Sequence, residues 1–255
     1  MTRSLPELSA RDAELLRAAG ELRLATGGQL RRLVFGEPSA SSQNARVARR
    51  CLRRLTDRKL LVRLVRRQGG LGGGSSSYIY SLSPAGARAI QLPPRRHRLD
   101  PSLTFLKHTL AISEVYTRLF EARYSGLLTD LRVAVEPDSW RPLGDGSGTV
   151  LKPDLFVRLE TATEDVFAFV EVDLATEHVG AIRRKAALYA DYRANGSEQR
   201  RHGLFPAVYW VVPSTSRAAA IARYLEAERR RAPELHHIVL SDHLIATLTK
   251  GGEYA

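Results

Sequence analysis

The sequence predicts an α/β protein in two parts: a basic N-terminal part of short helices closed by a β-hairpin, and a larger part in which strands and helices alternate. Three observations carry this reading. Helical periodicity between residues 9 and 55 gives way to two β-rich runs around a glycine-rich bend, Gly69–Gly74. A stiff proline- and arginine-rich stretch follows at residues 91–101. Beyond it, apolar strand-length runs are separated by helix-length amphipathic ones.

Taken in order, Ser9 with Asp12 three residues later resembles a capping box, and Leu15, Leu16, Ala19 and Leu22 recur at helical spacing, which predicts a first helix near 9–20. Thr26 offers a second N-cap before Leu30, Leu33, Val34 and Phe35, and this helix stops at Gly36-Glu37-Pro38. Ser41 or Ser42 opens a third helix with Val47, Cys51, Leu52 and Leu55 on one face. Its other face carries Arg46, Arg49, Arg50, Arg53 and Arg54, with Gln43 and Asn44 at its start. Leu60–Val65 and Tyr78–Leu82 then form the hairpin, and Ser83-Pro84-Ala85-Gly86 caps a helix running through Ile90. Three helices followed by a hairpin predict a winged helix-turn-helix over residues 1–90. Arginine can pair bidentately with guanine or phosphate, and Asn and Gln can read adenine, so the third helix has the chemistry to position and to read double-stranded DNA. The plainer alternative is a solvated basic face.

Composition bears on that choice. With 255 residues and 44% hydrophobic content, the chain can bury one large core or two modest ones. Its net charge of +12 is unevenly spread: residues 1–98 carry 20 Lys and Arg against 6 Asp and Glu, while residues 99–255 carry 19 against 21. A positive field confined to the first part favours a polyanion such as nucleic acid. The lone Cys51 excludes an intrachain disulfide framework and a cysteine zinc cluster, in keeping with a reducing cytoplasm. No run has the length of a signal peptide core or the roughly 20 apolar residues of a membrane span. The expectation is a cytoplasmic protein with no membrane partner.

Residues 102–255 predict a second, α/β domain: a long helix at about 102–123, strands near 130–136, 152–159 and 166–173, a helix near 177–194, a strand at 207–212, a helix near 214–230 and a last strand near 236–240. Within it, Pro153-Asp154 opens one strand and Glu171-Val172-Asp173 ends the next. Strand alternation puts Glu171 and Asp173 on one face, and pairing of the two strands brings Asp154 to them. Carboxylates so gathered repel one another unless a cation lies between them, and an all-oxygen ligand set of Asp154, Glu171 and Asp173 suits Mg²⁺ or Mn²⁺. Alternatively, Asp154 caps a turn and the other two are solvated at a strand end. No Walker loop, zinc-ligand set or Ser-His-Asp arrangement is present, and the Gly69–Gly74 segment lacks the GK[ST] ending of a phosphate loop.

Taken together, the hairpin borders, His108-Thr109-Leu110-Ala111-Ile112-Ser113-Glu114, Pro153-Asp154, Glu171-Val172-Asp173, and Lys185 with Tyr189 resemble the replication-relaxation family of plasmids and other bacterial mobile elements. The resemblance implies a winged helix joined to a nuclease-like domain of the PD-(D/E)XK superfamily, with Asp154 and Glu171 as metal-binding carboxylates and Glu114 as the acidic residue of the first helix. The chain departs from that pattern at Asp173, which stands where the superfamily usually has lysine. Asp173 is then a further ligand, or the lysine's role has moved to Lys185. The implied function is DNA binding in replication, transfer or maintenance of a mobile element, with a nuclease-like domain of reduced or lost activity. Two alternatives stand beside it: an active metal-dependent endonuclease or nickase, and a winged-helix transcriptional regulator whose acidic second domain forms a homodimer or another protein contact.

Overall fold

The structure, a computed structural model, describes residues 8–36, 42–64, 78–93, 102–144, 146 and 148–250. The protein is mixed α/β, and it divides into two compact units, Met1–Glu121 and Ala122–Ala255.

The first unit opens with α1 (Ala10–Leu22), whose cap is the expected one: the Asp12 N–H donates to Ser9 Oγ at 3.1 Å. A two-residue strand, β1 (Ala25–Thr26), leads into α2 (Gly27–Phe35). Here Thr26 and Gln29 form a reciprocal capping box, Gln29 N–H to Thr26 Oγ1 at 3.1 Å and Thr26 N–H to Gln29 Oε1 at 2.9 Å. Then come α3 (Ser42–Asp57), β2 (Leu61–Leu64), β3 (Ile79–Leu82) and α4 (Pro84–Ala89). As expected, β2 and β3 pair antiparallel, from Leu61 opposite Leu82 to Leu64 opposite Ile79. The two-residue β1 was not foreseen; it pairs with the other edge of β3, giving the sheet order β1-β3-β2. The expected bend at Gly69–Gly74, the Ser41 cap and most of the 91–101 stretch lie outside the described residues.

The core of this unit is the apolar stripe of each helix, Leu15 and Leu16 from α1, Leu30 from α2, Cys51, Leu52 and Leu55 from α3, closed by Leu61 and Leu82 of the sheet. Gly86 is fixed by close approach, because a Cβ there would stand 2.1 Å from the Leu60 carbonyl oxygen. Gly86→Ala must therefore push α4 off the β2 entry, and it is expected to lower the unfolding free energy by about 1–3 kcal/mol, the usual range for overpacking. Urea denaturation checks this, and an unchanged midpoint would refute it.

The long helix α5 (Leu103–Tyr124) falls mostly in the first unit, so the division comes after Glu121 rather than at the 91–101 stretch. Side chains explain this. Ser113 Oγ donates to the Leu24 carbonyl at 2.7 Å, Gln29 Nε2 donates to the Leu110 carbonyl at 3.1 Å, and Tyr116 and Phe120 pack on the helical core.

The second unit is built on a five-stranded sheet. Its strands are β4 (Asp130–Val135), β7 (Leu155–Glu160), β8 (Asp165–Val172), β9 (Ala207–Val212) and β10 (His236–Leu240), in the order β10-β9-β8-β7-β4. The β4, β7 and β8 strands form an antiparallel meander, and β8, β9 and β10 run parallel. Helices α6 (Val179–Ala194) and α7 (Ser197–His202) connect β8 to β9, and α8 (Thr215–Tyr224) and α9 (Glu226–Arg231) connect β9 to β10. A one-turn 3₁₀ helix and α10 (Leu244–Thr249) close the unit.

Three expectations change in detail. The strand expected at 152–159 is β7 and starts only at Leu155, after a break that separates it from a short β6 (Val150–Leu151), which pairs with β5 (Arg141–Pro142). The break falls at Lys152-Pro153-Asp154, where Pro153 has no N–H to donate to a ladder. The helix expected over 214–230 is two helices, separated at Leu225, whose backbone leaves the helical region (φ −100°, ψ 9°). Helix α7 was not anticipated, because SEQRRH has no apolar period; it is bracketed instead by Gly196 and Gly203 in the left-handed region, with φ 71° and 78°. Among the described residues, no helix is long and apolar enough to cross a membrane.

Candidate functional site

The chemistry of the second unit centres on the C-terminal end of β8. Leu155 lies opposite Val170 in the β7–β8 ladder, so Asp154, one residue further out, comes level with Glu171. The two are tied across the ladder: Asp154 Oδ2 accepts the Val172 N–H at 2.7 Å. Alternation turns Glu171 to the face covered by α6, where Lys185 and Tyr189, one helical turn apart, meet it. Tyr189 OH donates to Glu171 Oε1 at 2.5 Å, and the Lys185 ammonium donates to Oε2. Asp154, Glu171 and Lys185 are thus brought together, as a buried pair of carboxylates with an ammonium against one of them.

Electrostatics follow from burial. Loss of water pushes the Glu171 carboxyl up to about 8 and the nearby Asp154 charge pushes the same way, against the pull of Lys185 and Tyr189. Burial also works against the charge on Lys185, but the Glu171 and Asp154 carboxylates outweigh it and hold the ammonium above its ordinary range. Each Glu171 oxygen keeps a lone pair beyond its present hydrogen bond, so Glu171 together with Asp154 could hold a hard cation.

Asp173 is placed differently. It sits on the same face as Glu171, but its oxygens are held by Arg217 of α8, Nε to Oδ2 at 2.5 Å and Nη2 to Oδ1 at 3.0 Å. Arg217 Nη2 also donates to the Glu177 carbonyl at 2.9 Å, so this pair locks the β8–α6 turn to the start of α8. Both Asp173 oxygens are thus engaged by one guanidinium, whereas those of Glu171 are shared between Lys185 and Tyr189. Glu114 lies on α5 within the first unit, where Arg32 Nη1 donates to both its oxygens at 2.7 and 2.9 Å and Gln29 Nε2 donates at 3.0 Å.

In the first unit, α3 buries Ala48, Cys51, Leu52 and Leu55 and exposes Gln43, Arg46, Arg49, Arg50 and Arg53, with Asn44 half-buried. Arg49 Nε donates to the Ala45 carbonyl one turn back. Arg54 is exposed too, but its Nη2 reaches both oxygens of the buried Asp12, at 2.7 and 2.8 Å, and thereby ties α3 to α1.

Sequence reading missed Arg217 and Arg32. One signal was available for Arg217. It stands three residues after Ser214, the N-cap of α8, directly beyond the strand that runs parallel to β8, which ends just before Asp173. Arg32 offered none.

A second buried polar side chain sits under the same sheet face. His236, fully buried on β10, accepts the Trp210 indole N–H through Nδ1 at 3.3 Å. Burial lowers its pKa to about 4, with the His237, Arg229 and Arg193 charges adding to the effect. A histidine depressed in the folded state contributes stability that is present above its unfolded value near 6.5 and lost as pH falls toward 4. Over that window the loss is expected to be on the order of 3 kcal/mol. Urea denaturation at pH 7 and pH 4.5 should show a gap that shrinks in His236→Gln, and an equal gap in both proteins would refute the assignment.

Fold and site define an α/β protein of two units, one presenting an arginine-faced helix and the other a buried carboxylate–ammonium centre at the end of a mixed sheet. The model of the replication-relaxation family matches residues 16–208, most of the chain, and the chain belongs to that family. No curated protein and no solved structure matches it. The matched stretch contains Asp154, Glu171, Asp173 and Lys185, and ends before Arg217.

Proposed function

We propose that the chain is a DNA-binding protein of a plasmid or other mobile element, acting in its replication, transfer or maintenance, with a nuclease-like second unit of reduced or lost activity. The observation that carries the DNA-binding part is the outer face of α3. Arg46, Arg49, Arg50 and Arg53 are exposed there and form no ion pair among the described residues, while the opposite face is buried. Uncompensated cations on one rigid face suit a row of phosphates, and Gln43 and Asn44 at the helix start suit base edges. The order helix, strand, helix, helix, strand, strand supports a winged helix that directs α3 outward. Family membership supports the mobile-element setting.

Fluorescence titration of duplex DNA tests this reading. Arg49→Ala with Arg53→Ala should weaken binding and reduce the salt slope by about one unit for each lost phosphate contact. Unchanged affinity and slope would reject it.

For the second unit, the element order and the Asp154–Glu171–Lys185 grouping support a nuclease-like centre. Asp154 and Glu171 would hold Mg²⁺ or Mn²⁺, which when bound supplies an activated water and charge stabilisation at a phosphate. Lys185 presents an ammonium beside these carboxylates and can steady negative charge on a phosphate in place of the lysine missing at position 173. Asp173 is a positioning residue that fixes the β8–α6 turn through Arg217. Active cleavage is the second reading, and the placement of Lys185 against Glu171 favours it. A supercoiled-plasmid nicking assay with Mg²⁺ or Mn²⁺, with Asp154→Ala as control, separates the two.

A further inference from the structure

The second unit holds a cavity of about 270 Å³ at the β10 end of the sheet. One wall is α8, which offers only the methyl groups of Ala218, Ala219 and Ala222. The floor is β10 itself, through the consecutive residues His237, Ile238 and Val239. Neighbouring strand residues point to opposite faces. Ile238 packs with the core under α8, whereas His237 turns away to stack on Tyr209, ring centroids 4.9 Å apart. The cavity touches all three, and Thr247 of α10 lines it as well, so it lies between α8 and α10 along the outer side of this strand. β10 is the last strand in the sheet order, so the outward N–H and C=O groups of this edge have no strand partner among the described residues. Its sequence, HHIVL, has neither the lysine nor the proline that commonly protects an edge.

Arg229 of α9 also lines the cavity. Its Nε is buried with no hydrogen-bond partner, and no carboxylate pairs with it among the described residues; Glu226, on the same helix, is taken by Arg230. A partly buried guanidinium without an anion is costly, and the fork geometry is suited to a carboxylate. Burial holds His237 below its usual pKa, and the Arg229 charge adds to this, so the guanidinium is the cation offered here at neutral pH.

We infer that this edge is a docking site for an extended acidic peptide segment of a partner protein, whose backbone adds to β10 as a further strand and whose carboxylate pairs with Arg229. The small alanine side chains leave room for a second backbone to approach, main-chain hydrogen bonds supply affinity, and the carboxylate sets register. The volume lies just under the range of about 300–1,000 Å³ usual for small-ligand pockets, which fits a short stretch of chain with one side chain inserted.

The test uses the full chain, labelled for backbone amide NMR, and the peptide acetyl-Thr-Val-Glu-Val-Thr-amide. Saturable shifts confined to β10 and its flanks on α8 and α9 are expected. Replacing the peptide's Glu with Gln, or Arg229→Gln in the protein, should weaken binding about tenfold, the effect of losing one charge-assisted pair. The peptide substitution leaves the protein untouched, so misfolding of the variant cannot account for the loss. No saturation up to millimolar peptide, or equal binding of the Gln peptide, overturns the inference. Benzoate binding as tightly as the peptide would make this a small-anion pocket instead. A dimer in sedimentation that the peptide disperses would assign the edge to a second copy of the chain.

Discussion

Replacing Arg141 with alanine is expected to lower the unfolding free energy by about 3–5 kcal/mol, because it strands a buried charge. The Glu198 side chain is 0% exposed and that of Arg141 10%. Arg141 Nε donates to Glu198 Oε1 at 2.8 Å, and Tyr192 OH donates to the same oxygen at 2.6 Å. The guanidinium also donates through Nη1 to the carbonyls of Asp138, Ser139 and Trp140 and lies over the Phe156 ring, 4.6 Å from its centroid. Removing it leaves the buried Ser139 carbonyl and the Glu198 carboxylate short of donors. A loss of this size is a large part of the roughly 5–15 kcal/mol available to a typical domain. Tyr192→Phe, which removes one hydrogen bond, should cost only about 1 kcal/mol. Urea denaturation of the two variants checks the order, and an Arg141→Ala protein as stable as Tyr192→Phe would contradict it.

Lys185→Ala carries the largest expected effect on chemistry. Wild-type protein should leave a random supercoiled plasmid largely intact in Mg²⁺ or Mn²⁺. Whatever nicking it performs on a plasmid bearing its own element should fall about 100- to 1,000-fold in Lys185→Ala, the usual loss when a preorganised donor to a charged transition state is removed. Duplex affinity should not change, because the arginines proposed to bind DNA lie on α3 in the first unit. Rapid digestion of random plasmid that is abolished by Asp154→Ala yet indifferent to Lys185→Ala would show that the cation on α6 has no such role.

Much of the chain was legible from local chemistry. Ser9, Thr26 and Ser83 each start a helix as a cap, since short hydroxyl side chains satisfy the first free N–H groups of a helix. The apolar runs at 207–212 and 236–240 became β9 and β10 with those bounds, because a short β-branched run bounded by turns has few other uses. Helix α7 and the β5–β6 pair escaped notice, since what holds Glu198 and Arg141 in place is a contact between residues far apart in the chain.

The candidate site shows the same division. Periodicity alone puts Glu171 and Asp173 on one side of a strand and the α3 arginines opposite an apolar stripe, because those relations depend only on the repeat of the backbone. Which cation each carboxylate meets depends on how elements pack. Parallel β9 carries Arg217 to Asp173, α6 carries Lys185 to Glu171, α2 carries Arg32 to Glu114, and α1 draws Arg54 to Asp12. The sequence by itself determined the elements, their amphipathic faces and the residues able to bear charge or bind DNA. Only the tertiary structure decided which of those charges pair, since an ion pair between residues 42 to 82 positions apart, as in Arg54–Asp12, Asp173–Arg217 and Arg32–Glu114, leaves no local pattern to read.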